Sequence, residues 1–484
     1  MPDFKPTAEQ LQIIEAAQAT SDNLAVIARA GAAKTSTLVM VAEALPDTKI
    51  LCLAFNKKIA DEMKERLPSN CESKTLHSLG YSAWSKYLGK RLKVDGRKVF
   101  FLLKQEIEKL EGEDRTASYE TLAETLDIIA KGKQQGWLPD RFKGAWKPLV
   151  GDADFFADLP MEPTALQEEL VRAVSEESFR LCLQANIDFD DMIFAPALCQ
   201  VSWPTFPLTM VDESQDLSNL NHHVLRKLVK RNRLIAVGDP CQAIYGFRGA
   251  NEKSMEEMVG KFDMTRLYLT VSFRCGSKII KNARWRAPDM QSPEWAIPGE
   301  VLRPLTWSAD ELKDGDAIIC RNNAPLFSLA IKLIQHGKLP EIAGRDIAAP
   351  IIKLMKKLGK PQLVKLAAME AVKDWEEAEL KRARDGAKAT VRDKAEIIRI
   401  MLGHTKTLGD AIAYLEHLLQ RDGRIHLMTG HKSKGLEFDN VWFLDQHRLD
   451  LERGQDANIK YVIETRAKKR LIYVTSDTME GSEE

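Results

Sequence analysis

Leu24 to Leu38, LAVIARAGAAKTSTL, is the stretch whose reading decides the fold. Leu24 to Ala28 has the unbroken apolar character of a strand buried on both faces, the residues after it are small, and a helix opens on Lys34 and Thr35. Such a turn aims several backbone N–H groups and the positive end of a helix dipole at one point, which suits a phosphate. Lys34 would reach the outer phosphates of a nucleotide, and the Thr35 hydroxyl would ligate Mg²⁺. The strict pattern G-x-x-x-x-G-K-[ST] is not met, because Ala28 and Ala33 stand at its two glycine positions. Taken alone, the stretch fits an ordinary strand-to-helix turn of an α/β core as well as it fits a phosphate loop.

Outward from it, strand and helix alternate. An amphipathic helix over Phe4 to Gln18, with Thr7 as its N-cap, precedes the stretch, and Lys49 to Phe55 followed by a helix over Asn56 to Leu67 comes after it. That order implies an α/β fold with a doubly wound parallel sheet. Sheet-like runs return at Leu208 to Val211, Leu234 to Val237 and Leu267 to Thr270. Between about Trp84 and Ala185 the sequence is charged and helical, as in Val99 to Leu110, with no convincing strand. A second α/β regime begins near Lys278, with strands at Ala317 to Cys320, Ile425 to Met428, Val441 to Leu444 and Leu471 to Val474. The expected organisation is a first domain of residues 1–85 and 186–277 interrupted by a helical insertion, 86–185. A second domain of residues 278–348 and 421–484 is interrupted by another, 349–420, whose charged run we read as a solvated helix face.

A length of 484 residues exceeds one core, and 44% hydrophobic with 29% charged residues is the composition of a soluble globular protein. Lys+Arg and Asp+Glu are equal at 70 each, so no global field draws the chain to nucleic acid, although a local groove can still be basic. The N-terminus has no apolar signal region and no run reaches a membrane span, which gives the expectation of a cytoplasmic protein without membrane contact. Seven scattered cysteines without a C-x-x-C pair read as small buried apolar residues.

Two further stretches carry chemistry. In LTMVDESQD, Leu208 to Asp216, a buried strand ends in carboxylates. Asp212 is placed to hold Mg²⁺, and Glu213 to polarise the water that attacks a γ-phosphate. A carboxylate pair at a strand end is commonly just a solvated turn, and it gains meaning from Lys34 and Thr35 on the same expected sheet. In VGDPCQAIYGFRGA, Val237 to Ala250, Gln242 follows a strand end and can sense the γ-phosphate. Tyr245, Phe247 and Arg248 offer stacking faces and a phosphate contact for single-stranded nucleic acid. The bland alternative is an apolar loop plugging the sheet, for which Gly246 and Gly249 are poor material.

With these residues in view, the chain resembles the superfamily-one helicases of the UvrD/Rep/PcrA type, in order over nearly its whole length. Phe4 with Thr7 to Gln10 is similar to the Q-motif. Ala28 to Thr35 resembles the phosphate loop, Leu53-Ala54-Phe55-Asn56 and Thr75-Leu76-His77-Ser78 the DNA-contacting segments, and Ile187 to Asp191 the stretch before the Mg²⁺ strand. Val211 to Asp216 resembles D-E-x-Q-D, Gln242 to Ala250 Q-x-I-Y-x-[WF]-R-G-A, and Ser272-Phe273-Arg274 N-Y-R. Thr429 to Phe438, TGHKSKGLEF, and Tyr461 to Lys469, YVIETRAKK, resemble the two motifs of the family's second domain.

The resemblance implies two RecA-like domains and an ATP-dependent DNA helicase that moves 3′ to 5′ on single-stranded DNA. Its cofactors would be ATP and Mg²⁺. Gln10 would read the adenine, and the amides of Ala30, Gly31, Ala32, Ala33, Lys34, Thr35 and Ser36 would hold the phosphates. Phe273 would lie against the adenine and Glu437 towards the ribose, with Arg274 and Arg466 on the γ-phosphate from either side of a cleft. Phe55, Asn56, Thr75, His77, Tyr245, Phe247, Arg248 and His431 would meet DNA. The expected partners are single strands and single/double-strand junctions, with replication or recombination proteins as loaders of a monomeric motor. The insertions are short beside those of large bacterial members, and the chain ends soon after its last motif, which suggests a compact motor. The rival readings are a 5′ to 3′ motor of RecD/Dda type and a nucleic-acid clamp that uses ATP only as a ligand. The chain departs from the family loop A-G-x-G-x-G-K-T at Arg29 and Ala33, which replace glycines. A Cβ in a left-handed conformation costs about 1 kcal/mol or more.

Overall fold

A computed structural model describes residues 5–142, 144, 146–230, 232–246, 253–343, 345–452 and 454–480. The chain divides into two compact units. One comprises Met1–Ala28, Ala33–Leu159 and Pro163–Leu269; the other comprises Arg29–Ala32, Pro160–Glu162 and Thr270–Glu484.

The first unit is built on β1 (Asn23–Ala28), β2 (Ile50–Ala54), β3 (Cys71–Thr75), β6 (Leu208–Val211), β7 (Arg233–Gly238) and β8 (Met264–Leu269), all parallel, in the order β3-β2-β6-β7-β1-β8. Burial follows that order. The central strands β2 and β6 are buried throughout, whereas edge strand β8 alternates buried Leu267 and Leu269 with exposed Arg266 and Tyr268. Helices α1 (Ala8–Ala19), α2 (Lys34–Glu43), α3 (Lys57–Arg66) and α4 (Leu76–Leu88) belong to the same unit. α1 starts in a capping box, with Gln10 N–H donating to Thr7 Oγ1 and Thr7 N–H to Gln10 Oε1.

Two expectations need correction here. Cys71–Thr75, CESKT, is a strand that the sequence hides, because an edge strand with polar, half-buried residues has no hydrophobic period. The helical stretch also contains a strand, β4 (Lys93–Val94), which pairs in parallel with β5 (Asn186–Ile187) and is too short to register as a pattern.

After β4 the chain forms α5 (Lys98–Glu108) and further helices, Gly112–Glu120, Leu122–Gln135, Asp152–Ala157 and Ala165–Leu183. They share their own core, with Leu103, Ile107, Ile129, Trp137, Phe155 and Val171 at 1% exposure or less. A buried charge cluster fixes the residues after β5 to this core. Lys133 Nζ lies 2.8 Å from Asp191 Oδ1, and Lys98 and Lys133 also pair with Asp191 and Asp188. Burial alone would raise the Asp191 carboxyl, yet Lys133 and Lys98 outweigh it and hold the group below the usual carboxylate range.

The second unit carries β9 (Glu300–Leu302), β10 (Ala317–Cys320), β11 (Pro340–Ile342), β12 (Ile425–Thr429), β13 (Phe438–Leu444) and β14 (Ala467–Val474). All are parallel, in the order β11-β12-β10-β13-β14-β9. β9 and β11, three residues each, escape sequence reading because of their length. Helices Arg345–Leu358, Lys365–Arg382, Asp385–Gly403 and Leu408–Gln420 lie between β11 and β12, and one core joins Ile398, Leu402 and Leu415 to Ile318, Leu427 and Trp442 of the sheet. Among the described residues, no helix is long and apolar enough to cross a membrane. All seven cysteines are free, and only Cys71 is not fully buried.

Candidate functional site

β6, β7 and β1 are consecutive neighbours in one parallel sheet, so the loops leaving their carboxyl ends meet at one edge. Thr35 Oγ1, in the first turn of α2, donates to Asp212 Oδ2 at 2.7 Å. Lys34 Nζ lies 2.8 Å from each oxygen of Glu213. Asp212 is buried, and both burial and the neighbouring Glu213 push its carboxyl up from the usual range, against Lys34 and the Thr35 hydroxyl. Burial acts to lower the Lys34 ammonium, but Glu213, Asp212 and Asp239 outweigh it and the net shift is upward, so Lys34 is a cation at neutral pH.

Backbone strain lies at both sides of this contact. Ala33, the residue before α2, has φ 55° and ψ 40°, and Glu213 has φ 51° and ψ 41°. Left-handed conformations at non-glycine residues cost energy that the surrounding fold must hold in place, and they gather at functional sites.

A hydrogen-bonded chain runs from Glu213 to Gln242. Gln215 Nε2 donates to Glu213 Oε2, and Gln215 Oε1 accepts from Asp239 N–H at 3.0 Å. Asp239 in turn accepts from Gln242 Nε2 at 2.7 Å and from Cys241 N–H at 3.0 Å. A Cβ at Gly238 would stand 2.5 Å from Gln215 Oε1, so only glycine lets the chain pass. Asp239 and Gln215, the links of this chain, were not among the expected site residues; the signal that points to Asp239 is an acid just beyond a buried strand.

The remaining expected residues of this unit occupy varied settings. Gln10 is buried, tied to Thr7 and, through Nε2, to Thr37 Oγ1 of α2 at 3.0 Å. Ser36 accepts from Arg66 of α3 at 2.9 Å, a contact the sequence did not suggest. Asn56 and Thr75 cap α3 and α4, with Asn56 Oδ1 2.9 Å from Ile59 N and Thr75 Oγ1 3.2 Å from Ser78 N; His77 is exposed in the first turn of α4. The rings of Phe55 and Tyr245 lie parallel, 6° apart in plane and 6.1 Å between centroids. Phe4, Phe247 and Arg248 lie outside the described residues.

In the second unit, Arg29 grips Asp289 with two bonds, Nε to Oδ1 at 2.7 Å and Nη2 to Oδ2 at 2.8 Å. Ala30 N–H donates to Tyr461 Oη at 3.1 Å, and Phe273 N–H donates to Gly31 O at 2.9 Å. Gly31 has φ +75°, and a Cβ there would fall 2.7 Å from Arg274 Cβ. Arg274 Nε donates to Glu437 Oε2 at 2.8 Å. Arg466 is 1% exposed, donating to Val462 O at 3.0 Å and Leu436 O at 3.1 Å. Phe273 faces Trp295 with centroids 6.2 Å apart, on a cavity of about 390 Å³ lined also by Arg274, Asp439, Lys468 and Lys469. His431 is half-buried in the short helix Gly430–Ser433 that follows β12.

The donor set at Thr35 and Asp212 fits Mg²⁺. It offers one hydroxyl and one buried carboxylate, all hard oxygen, and Mg²⁺ is usually held by one or two carboxylates together with substrate phosphates and water. Among the described residues, no group of three or more His, Cys, Asp and Glu forms a separate metal cluster.

Comparison with known proteins agrees with this arrangement. Residues 7–263 match the UvrD/REP helicase N-terminal domain, and residues 384–478 match the UvrD-like helicase C-terminal domain. The F-box DNA helicase protein 1 of Schizosaccharomyces pombe is 25% identical over 96% of this chain and 57% of its own length. The F-box DNA helicase 1 of Gallus gallus is 26% identical over 97% of this chain and 49% of its own length. The ATP-dependent DNA helicase PcrA of Leuconostoc citreum is 27% identical over 49% of this chain and 33% of its own length. The chain thus spans about half the length of the F-box helicases it matches.

Proposed function

The chain belongs to the UvrD/REP helicase family, and we propose that it hydrolyses ATP to move along single-stranded DNA, 3′ to 5′, and to open duplexes at single/double-strand junctions. The observation that carries this reading is the pair of contacts made by consecutive residues of α2, Thr35 to Asp212 at 2.7 Å and Lys34 to Glu213 at 2.8 Å. A phosphate-reaching cation, a Mg²⁺-binding hydroxyl, a Mg²⁺-binding acid and a candidate base are the parts phosphoryl transfer needs.

In this reading Thr35 and Asp212 would hold Mg²⁺, which would supply positive charge against the triphosphate. The γ-phosphate draws Lys34 away from Glu213. Glu213, no longer clamped to an ammonium, then orients the attacking water and takes its proton. Gln242 reports the change through Asp239 and Gln215. Arg274 and Arg466 are the cations assigned to the transition-state charge, an effect on the order of a thousandfold on rate. The parallel rings of Phe55 and Tyr245 are assigned to DNA bases, whose stacking is worth roughly 1–3 kcal/mol each.

The test is ATP turnover with and without single-stranded DNA, then strand displacement on 3′- and 5′-tailed duplexes. DNA-stimulated turnover with displacement only from the 3′ tail is expected. Displacement from the 5′ tail would reverse the polarity, and turnover indifferent to DNA would leave a nucleotide-dependent clamp.

A further inference from the structure

The formal neutrality of the chain hides a sharply segregated stretch in the first unit. Residues 86–104 carry seven Lys and Arg against the single acid Asp95, whereas residues 105–124 carry seven Asp and Glu against Lys109 and Arg115. Lys98 is accounted for by its buried pairing with Asp191, and Lys104 lies near Glu108. Lys86, Lys90, Arg91, Lys93 and Arg97 are all exposed, and among the described residues none of the five makes an ion pair. Five exposed cations without an acidic partner among the described residues, clustered in one short stretch, give a local positive field that favours an anionic partner.

The same stretch, with Phe189, also carries exposed aromatic rings. Tyr87, Phe100, Phe101 and Phe189 keep between 37% and 63% of their surface exposed. The backbone brings Phe189 beside this stretch. β4 pairs with β5 through Lys93 with Asn186 and Val94 with Ile187, and Asp95 N–H donates to Ile187 O at 2.8 Å. That pairing brings the Phe189 ring to 3.4 Å from where a Cβ on Gly96 would be, and Arg97 lies 5.1 Å over the ring of Phe101. Tyr87 is held flat by stacking on buried Trp84 at 5.2 Å. Exposed rings interleaved with cations, rather than cations alone, are what an unpaired strand needs, because a duplex hides its base faces.

We propose that this face, formed by the end of α4, β4, the start of α5 and Phe189, is a second binding surface for single-stranded DNA, distinct from the Phe55–Tyr245 ring pair. It binds phosphates through Lys90, Arg91, Lys93 and Arg97 and bases through Phe189 and its neighbouring rings. A displaced or slack strand is the substrate it fits. The proposal does not need ATP hydrolysis, so it is tested without nucleotide.

Fluorescence anisotropy with long and short oligothymidylates on the full chain gives the measurement. Lys90→Ser/Arg91→Ser/Lys93→Ser is expected to weaken long-strand binding at least tenfold and to reduce the slope of log affinity against log salt by about two, at about 0.7 per phosphate contact. Phe189→Ala is expected to weaken the same binding about tenfold with the salt slope unchanged. Charge-keeping Arg91→Lys/Lys93→Arg should bind as the wild type does, and unchanged melting temperatures exclude misfolding. ATPase stimulation by the short strand should persist in all variants. If long-strand affinity is unaltered in the triple variant, or duplex binding falls as much as single-strand binding, the surface is not a single-strand site. Absence of DNA-stimulated ATPase in the wild type would instead refute the motor reading and leave this assay intact.

Discussion

Ala33→Gly separates two accounts of the unusual phosphate loop. Ala33 sits at φ 55° and ψ 40°, so its Cβ bears the left-handed penalty of about 1–2 kcal/mol. Glycine removes that penalty but adds about 0.4–1 kcal/mol of backbone entropy to the unfolded chain. The net expectation is a gain of about 0.5–1 kcal/mol, or about 1–4 °C in melting temperature for a unit of this size. The strain belongs to the fold itself, before any nucleotide binds, so it cancels between the free and bound proteins, and ATP affinity should change by less than about threefold, under 0.7 kcal/mol. Ala33→Val, β-branched in the same conformation, should lose stability. Differential scanning calorimetry with a fluorescent ATP analogue titration reads both quantities. An unchanged or lower melting temperature in Ala33→Gly together with about tenfold tighter ATP binding would show that the strain arises on binding, and the reasoning would be wrong.

Glu213→Gln keeps the shape beside Lys34 but removes its carboxylate partner; kcat should fall on the order of a hundredfold or more with ATP affinity kept or raised, and retained turnover would remove Glu213 from the base role. Gly31→Ala places a Cβ 2.7 Å from Arg274 Cβ and 2.8 Å from Ser272 Oγ, whereas Gly89→Ala, at φ +62°, meets nothing within 4 Å. By urea unfolding, the first should therefore cost clearly more than the roughly 1 kcal/mol expected of the second. Burial first, then Asp188 and Asp191, lift Asp190 to about 6 against Lys133. A raised folded pKa means stability present below the unfolded value near 3.8 and lost as pH rises through about 6. Asp190→Asn should thus raise the melting temperature at neutral pH and lose that advantage in acid; an equal shift at both would refute the assignment. Arg29→Gly, which restores the family residue, should destabilise by about 1 kcal/mol, and a double-mutant cycle with Asp289→Ala should return a coupling of that order.

The buried strands were legible because each is an apolar run that no helix period explains: Leu208–Val211 and Ala317–Cys320 read directly, and Leu234 to Val237 extends by one residue at each end. Cys71–Thr75 was not, since an edge strand half in solvent can be polar at every position, and neither were three-residue strands such as Glu300–Leu302. At the site, Lys34, Thr35, Asp212 and Glu213 were legible as residue types at strand ends. Their connection through Gln215 and Asp239 was not, because a hydrogen-bonded link between two loops depends on sheet order, β6 beside β7, which no local pattern encodes. Likewise the face from Lys86 to Lys104 emerges only once β4 and β5 pair, and in the global count its charge vanishes.

The two departures from the family loop therefore have opposite physical meanings although both replace glycine. Arg29 brings its own compensation, a two-bond grip on Asp289 that a glycine cannot make, so reverting it removes an interaction and gives back only backbone freedom. Ala33 brings no cap hydrogen bond to α2 and only the strain of a left-handed Cβ, so reverting it removes a cost. A loop that binds nucleotide needs its amides held in place rather than glycine as such. Ala30 held by Tyr461, Gly31 by Phe273 and Arg29 by Asp289 fix three consecutive residues that a glycine-rich loop would leave to its ligand. On that logic Arg29 is a departure that its own side chain offsets, Ala33 is one that no cap hydrogen bond offsets, and the one glycine kept, Gly31, is the position where a Cβ has no room.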